Sequence, residues 1–305
     1  MRTYLFNPEN NFYKANMHCH TTLSDGKCSP EEVKADYMAK GYQIVAFTDH
    51  RVVVPHNDLA EENFLPITAS EFDCNEPDVP WPATRTYHLN FYSKDPNRTE
   101  FIPFTRVHSV EGINKVIADA AKAGFLAQYN HSRWNCLQPK DFVGLEGLTS
   151  FEMFNYGCEM SESCDGDADY EYELYCRTGK CCAVTAGDDN HTTFARFGGF
   201  TMISAPALEY DAVINAFEQG DCYASMGPII KELYVENDVL HIECSPVYKV
   251  GVFSDSRNFA YKLNKTREDG ITSADLKVDF KHKYLRVVIE DVHRRRAWTR
   301  AYFNV

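Results

Sequence analysis

Short unbroken apolar runs alternate with segments of helical spacing along the first two thirds of the chain. Ile44-Val45-Ala46-Phe47 is one such run, lacking polar alternation as a strand buried on both faces should. It follows SPEEVKADYMAKGY, where Ser29 suits the N-cap, Pro30 the first helical position, Glu32 a capping box and Gly41 the stop. Val33, Tyr37 and Met38 share one face of that helix. The pattern recurs with variations. LPITASE reads as a strand ending at Glu71 and HLNFYS as one beginning at His88, while EGINKVIADAAKAG is a helix before the strand FLAQYNH. LTSFEMFN is a strand, YEYELYCRTGK is helical, CCAVTAGDDNH and FGGFTMIS are strands, and EYDAVINAFEQG closes the series as a helix. Such alternation over roughly 220 residues implies an α/β barrel or a doubly wound sheet, and in barrels the loops after the strands build the active site.

From about Lys231 the period changes. ELYVENDVLHIEC alternates around an Asn-Asp turn, and KYLRVVIEDV and AWTRAYFNV are further strand-like segments with no comparable helix between them. A small β-sandwich-like unit of residues 229–305 is therefore expected to follow a larger α/β unit of residues 1–228, with the boundary near Gly227-Pro228.

Composition narrows the partners. The 305 residues are 44% hydrophobic and 25% charged, a globular balance. A formal net charge of −13 argues against a nucleic-acid polymer or an anionic membrane surface as partner, and is compatible with bound cations. The eleven cysteines are odd in number and form no CxxC pair, so reduced thiols are expected. With no basic-then-apolar leader in MRTYLFNPENNFYKAN and no apolar run of spanning length, a cytoplasmic location is expected.

The chemistry gathers at the predicted strand ends. His18 and His20 in MHCHTTLSDG stand two apart, so on an extended segment both imidazoles face one way. Asp25 follows in a Ser-Asp-Gly turn, Thr48-Asp49-His50 ends the next strand, Glu71 the third, His131 the strand FLAQYNH, and Asp189-Asn190-His191 the strand CCAVTAG. Six of the eleven histidines (His18, His20, His50, His88, His131 and His191) occupy such positions. Buried carboxylates and imidazoles are costly to gather unless cations neutralise them, so a multinuclear metal site is the economical explanation. Mixed nitrogen and oxygen donors suit Zn, Mn or Fe, among which sequence does not choose.

The order HxH, SDG, TDH, a strand-borne Glu, an isolated His, NH before a small residue and GxDxH resembles the PHP (polymerase and histidinol phosphatase) superfamily over residues 17 to about 228. The resemblance implies a distorted seven-stranded (β/α) barrel, three divalent metal ions and hydrolysis of phosphate esters. It implies one metal on His18, His20, Glu71 and Asp189, a second sharing Glu71 with His88 and His131, and a third on Asp25, His50 and His191. His56 and His108 rival His88 for its place, because the loop before HLNFYS hides the register. In GDDNH the family often has Ser where this chain has Asp188. Asp189 is the expected ligand because Asp-x-His puts both side chains on one face, which leaves Asp188 in support or facing solvent. Asn155 resembles a family position near the metals, or serves backbone groups. YASMGPII and the β-rich tail look like stand-alone bacterial members.

A metal-bridging hydroxide attacking a small organic phosphate, such as a sugar phosphate, nucleotide or cyclic phosphate, is the expected reaction. Arg51, Arg133 and Arg196 are candidate clamps for phosphate oxygens, with surface ion pairing as the other reading of each. Asp49 is a candidate to orient a ligand histidine or relay a proton. The loop 72–86 and the acidic stretch GCEMSESCDGDAD are expected to shape the pocket. If the three arginines point away from the metals, hydrolysis of a non-phosphate ester or carbamate gains. A barrel that keeps metal only as support for a binding role is the reading from another class.

Overall fold

The computed structural model describes residues 2–161, 165–266, 270–303 and 305, so part of the acidic stretch, 162–164, lies outside the described residues. The described residues form a 14-stranded mixed sheet, a separate four-stranded sheet, and few helices. The expected first helix spans Pro30–Met38, with Ser29 accepting from the Glu32 amide and the Glu32 side chain accepting from the Ser29 amide. A cap of this kind contributes about 1 kcal/mol. Val33 and Tyr37 are buried against the strand Ile44–Phe47, itself buried at all four positions.

Ile44–Phe47 lies between Asn11–Asn16 and Leu65–Asn75 and runs parallel to both, as a strand-helix-strand series requires. The series then breaks. Leu65–Asn75 and Thr86–Ser93 form an antiparallel pair, so Glu71 sits inside a long strand instead of ending one. The register sets Glu71 against Asn90 and Asp73 against His88. His88 is thereby a diagonal neighbour of Glu71 on the same face, within reach of a ring. Phe125–Tyr129 continues antiparallel, followed in parallel by Ser150–Asn155 and Ala183–Gly187.

The expected seven-stranded barrel is not closed by a ladder. Among the described residues Ala183–Gly187 pairs only with Ser150–Asn155, while Asn11–Asn16 takes Phe200–Ala205 as its antiparallel neighbour. Across the gap the chain is joined by separate hydrogen bonds. The Asp188 amide donates to Asn16 Oδ1 (2.9 Å), the Asp189 amide to the His18 carbonyl (2.9 Å), and the His20 amide to the Asn190 carbonyl (3.3 Å). Gly187 allows the approach, since a Cβ there would lie 2.9 Å from the His18 Cβ.

The tail builds two facing sheets. Ile230–Glu236 and Val239–Val247 pair across Asn237-Asp238, both at positive φ (52° and 60°), as a tight right-twisted hairpin needs. Arg2–Tyr4 pairs with the first of these strands, which ties the N-terminal segment to the tail. Arg296–Thr299 pairs with Cys222–Ser225 and makes the large sheet continuous from the tail to the strands around Asn11–Asn16. Arg286, 6% exposed on Tyr284–Glu290, ion-pairs with Asp169 and with Glu173 (3.2 Å) on the helix Asp169–Arg177.

Removing one member of a buried ion pair strands the others. Arg286→Ala is expected to lower unfolding free energy by about 3 to 5 kcal/mol, read from urea denaturation. A loss below about 1 kcal/mol would show that solvent already carries those carboxylates.

Candidate metal centre

His18 and His20 stand on the extended continuation of Asn11–Asn16 and are 0% and 1% exposed. His18 Nδ1 meets Glu152 Oε1 at 2.9 Å; in the neutral ring it donates there, so the Nε2 lone pair faces inward. That Nε2 is 3.3 Å from His20 Nε2, 3.4 Å from Glu71 Oε2 and 3.3 Å from Asp189 Oδ1. His20 Nε2 is 3.3 Å from the same Glu71 oxygen and 3.0 Å from the same Asp189 oxygen. Four donors around one ion at roughly 2.0 to 2.1 Å in tetrahedral array stand roughly 3.3 to 3.4 Å apart. The observed spacings fit that figure, and Asp189 Oδ1 is buried without a hydrogen-bond partner. The residues present therefore fit a divalent cation.

Glu71 is shared between donor sets. Its Oε1 faces His88 Nδ1 (3.0 Å) and His131 Nε2 (3.2 Å), with Asn130 Nδ2 donating at 2.8 Å. Glu71, His88 and His131 form a second group of converging donors. His20, Asp25, His50 and His191 form a third, nearer solvent, where Asp25 Oδ1 lies 3.3 Å from His191 Nε2 and Asp25 Oδ2 lies 3.8 Å from His50 Nε2. His50 Nδ1 also reaches Glu71 Oε2 at 3.3 Å. His191 Nδ1 faces the Asp189 carbonyl at 3.0 Å, which turns Nε2 toward Asp25.

The protonation balance shows what the cluster lacks on its own. Burial alone would lower the His20 imidazolium, yet Asp189 and Glu71 carry its pKa up to about 9. His18 moves the same way, burial being overcome by Asp189, Glu71 and Glu152. Glu71 stays well below the usual carboxylate range despite its burial, because His88, His18 and His131 surround it. Buried carboxylates here draw positive charge, supplied by protons or by metal ions.

Supporting groups fix the donors. Asp49, 2% exposed, accepts from the Thr21 amide (2.7 Å) and hydroxyl (2.8 Å) and from Ser24 Oγ (2.7 Å). Its oxygens pin the turn that carries Asp25 instead of meeting a ligand histidine. In that turn Gly26 has no alternative, since a Cβ would lie 2.4 Å from the His20 carbonyl oxygen. Asp188 is fully buried, not solvent-facing, and accepts from the amides of Phe197, Gly198 and Gly199 and from the Tyr37 hydroxyl. Asn155 donates to Glu152 and Asp189 and accepts from the Cys158 amide. His131 and Asp189 adopt positive φ (21° and 47°), backbone strain set at the donors themselves.

The rivals lie elsewhere: His56 packs on Phe47 and His108 on Tyr87. Two of the three arginines are not gathered with the donors, while Arg51 lines a cavity with Asp25, His50 and His88. Arg133 pairs with Asp165 and Glu171 and borders a different cavity, with Arg286 and Arg296. Arg196 is buried against Asp36 and Tyr37. Arg51 stands at the rim, held by Asp73 at 2.6 Å. Arg133 and Arg196 are paired with carboxylates that sequence proximity does not reveal, and Arg51 shares Asp73 with Arg106 (3.6 Å). Glu152, which no motif marked, supports both His18 and the His131 amide. Its only signal was a glutamate inside the apolar strand SFEMFN.

No family model matches the chain, and no curated protein does. Solved structures with a similar fold are found. A two-domain protein of Bacteroides vulgatus containing a predicted PHP-like metal-dependent phosphoesterase aligns at 13% identity and TM-score 0.50, over 96% of each chain. A putative metal-dependent phosphoesterase of Bifidobacterium adolescentis aligns at 15% identity and TM-score 0.42, over 58% of this chain and 87% of that one. An amidohydrolase of Chromobacterium violaceum aligns at 14% identity and TM-score 0.43, over the same shares.

Glu152→Gln is expected to weaken metal binding roughly 10- to 100-fold. Both Glu152 oxygens face donors, so a glutamine amide must oppose either His18 Nδ1 or the His131 N–H. Competition with a chromophoric chelator measures it, and an unchanged affinity would remove Glu152 from the centre's support.

Proposed function

We propose that this chain is a metal-dependent phosphoesterase acting on a small organic phosphate. The observation that carries the reading is the Glu71 carboxylate, whose two oxygens face separate donor sets. His18, His20, Glu71 and Asp189 would hold one ion, Glu71, His88 and His131 a second, and Asp25, His50 and His191 a third. Divalent ions bound there would activate water and offset charge on phosphoryl oxygens. Glu152 keeps the His18 ring turned inward, Asn130 and Asn155 hold the Glu71 and Asp189 carboxylates, and Asp49 sets the turn bearing Asp25. The unit 1–228 would carry the centre and 229–305 would serve as a β-rich appendage.

A second reading, hydrolysis of a carbonyl ester or carbamate, is favoured by one observation. Among the described residues no lysine or arginine lines the cavity of about 370 Å³ over the donors. A dianionic phosphate would rely mainly on the metal ions for positive charge, since Arg51 at the rim is held by Asp73.

Elemental analysis after Mn²⁺ loading, run beside 4-nitrophenyl phosphate and 4-nitrophenyl acetate hydrolysis, separates the two. The first reading expects bound metal and phosphate-ester turnover, with His18→Ala losing metal and at least about 100-fold of the rate. Turnover of the acetate alone would replace it with the second reading, and full activity in His18→Ala would refute the donor assignment.

A further inference from the structure

We infer that the cavity above the donors contains a stacking subsite for a planar group attached to the scissile ester, built by Trp81, Trp134 and Phe194. The inference rests on the phosphoesterase reading and adds the substrate class. Trp81 and Phe194 are 66% and 63% exposed, large apolar rings that the core does not use. They come from loops far apart in sequence, yet both border the cavity that also exposes Asp25, Glu71, His88, His131 and His191. Scattered exposed aromatics are ordinary; two converging on one cavity of converging donors are not.

Trp134 joins this rim to the centre. Its ring centroid lies 5.1 Å from His131 in edge geometry, 5.1 Å from His88 and 5.6 Å from Trp81. A planar group packed on the tryptophans would therefore adjoin the donor set of Glu71, His88 and His131, with its ester directed at that set. Phe194 follows His191 by three residues and borders the cavity beside the outer donors. Among the described residues no lysine or arginine lines this cavity, and the one guanidinium of the adjoining cavity past Trp81 and Trp134, that of Arg51, is held by Asp73 at 2.6 Å. Aromatic faces are the apolar surface available there for recognising the part of the substrate beyond the phosphoryl group.

Calorimetric titration of the Mn²⁺-loaded full chain with phenylphosphonate, cyclohexylphosphonate and methylphosphonate tests this without turnover. Phenylphosphonate is expected to bind roughly tenfold more tightly than methylphosphonate and several-fold more tightly than the cyclohexyl compound. Trp81→Ala and Phe194→Ala should each remove roughly three- to tenfold of the phenyl preference and leave methylphosphonate affinity unchanged. Equal affinity for phenyl- and methylphosphonate, a cyclohexyl compound matching the phenyl one, or a preference untouched in both variants would overturn the subsite. Methylphosphonate binding distinguishes the two levels: if none of the three binds the loaded protein, the phosphoesterase reading itself falls.

Discussion

The Glu71 carboxylate is the constraint around which the site is arranged. At 1% exposure an ionised carboxylate loses several kcal/mol of hydration, and the chain meets that cost with imidazoles from four different segments. Asn130 adds a neutral donor. The charge of one side chain thus sets where five histidines must converge, and the antiparallel pairing of Leu65–Asn75 with Thr86–Ser93 decides which residue of the second strand can join them. Placement inside a long strand, instead of at its frayed end, gives Glu71 a backbone fixed on both sides.

The centre is graded in depth. His18, His20 and Glu71 are sealed, while Asp25 and His191 retain side-chain exposures of 55% and 39%. Electrostatic interactions are strongest at the sealed end and screened at the open end. Exchange of an outer ligand group for substrate is therefore easier than exchange at the inner set. The strain at His131 and Asp189 belongs to the same design, since both residues turn sharply at strand ends to bring a donor inward.

Much of this was legible in sequence because it is local. The capping box of the first helix, the apolar run 44–47, the i, i+2 spacing of His18 and His20, and the Asp-x-His of 189–191 are short-range patterns with a single geometric outcome. What escaped is long-range. Strand-helix alternation left an α/β barrel or a doubly wound sheet, and the seven-stranded barrel was implied by the family resemblance, but the connection 76–85 joins two strands as a hairpin, which apolar pattern does not distinguish from a crossover. Glu71 looked strand-terminal because LPITASE stops where the polar residues begin. Ion pairing was one of two readings of the arginines, and their partners are remote: Arg196 pairs with Asp36 across 160 positions and Arg133 with Asp165 across 32. Glu152 was hidden by an apolar neighbourhood that resembles ordinary core.

The open seam between the segments 16–20 and 187–190 has a consequence for how the protein is made. Asn16 and Asn190, hydrogen-bonded across it, are 174 positions apart. Contacts of such separation form late, because most of the chain's loop entropy must be lost before they are rewarded. The innermost donors sit on both banks of this seam, so they do not meet until the intervening strands have found their register. Nascent chains would thus lack the complete inner site during synthesis, and acquisition of its cation would be an event of the finished fold instead of a nucleus for it.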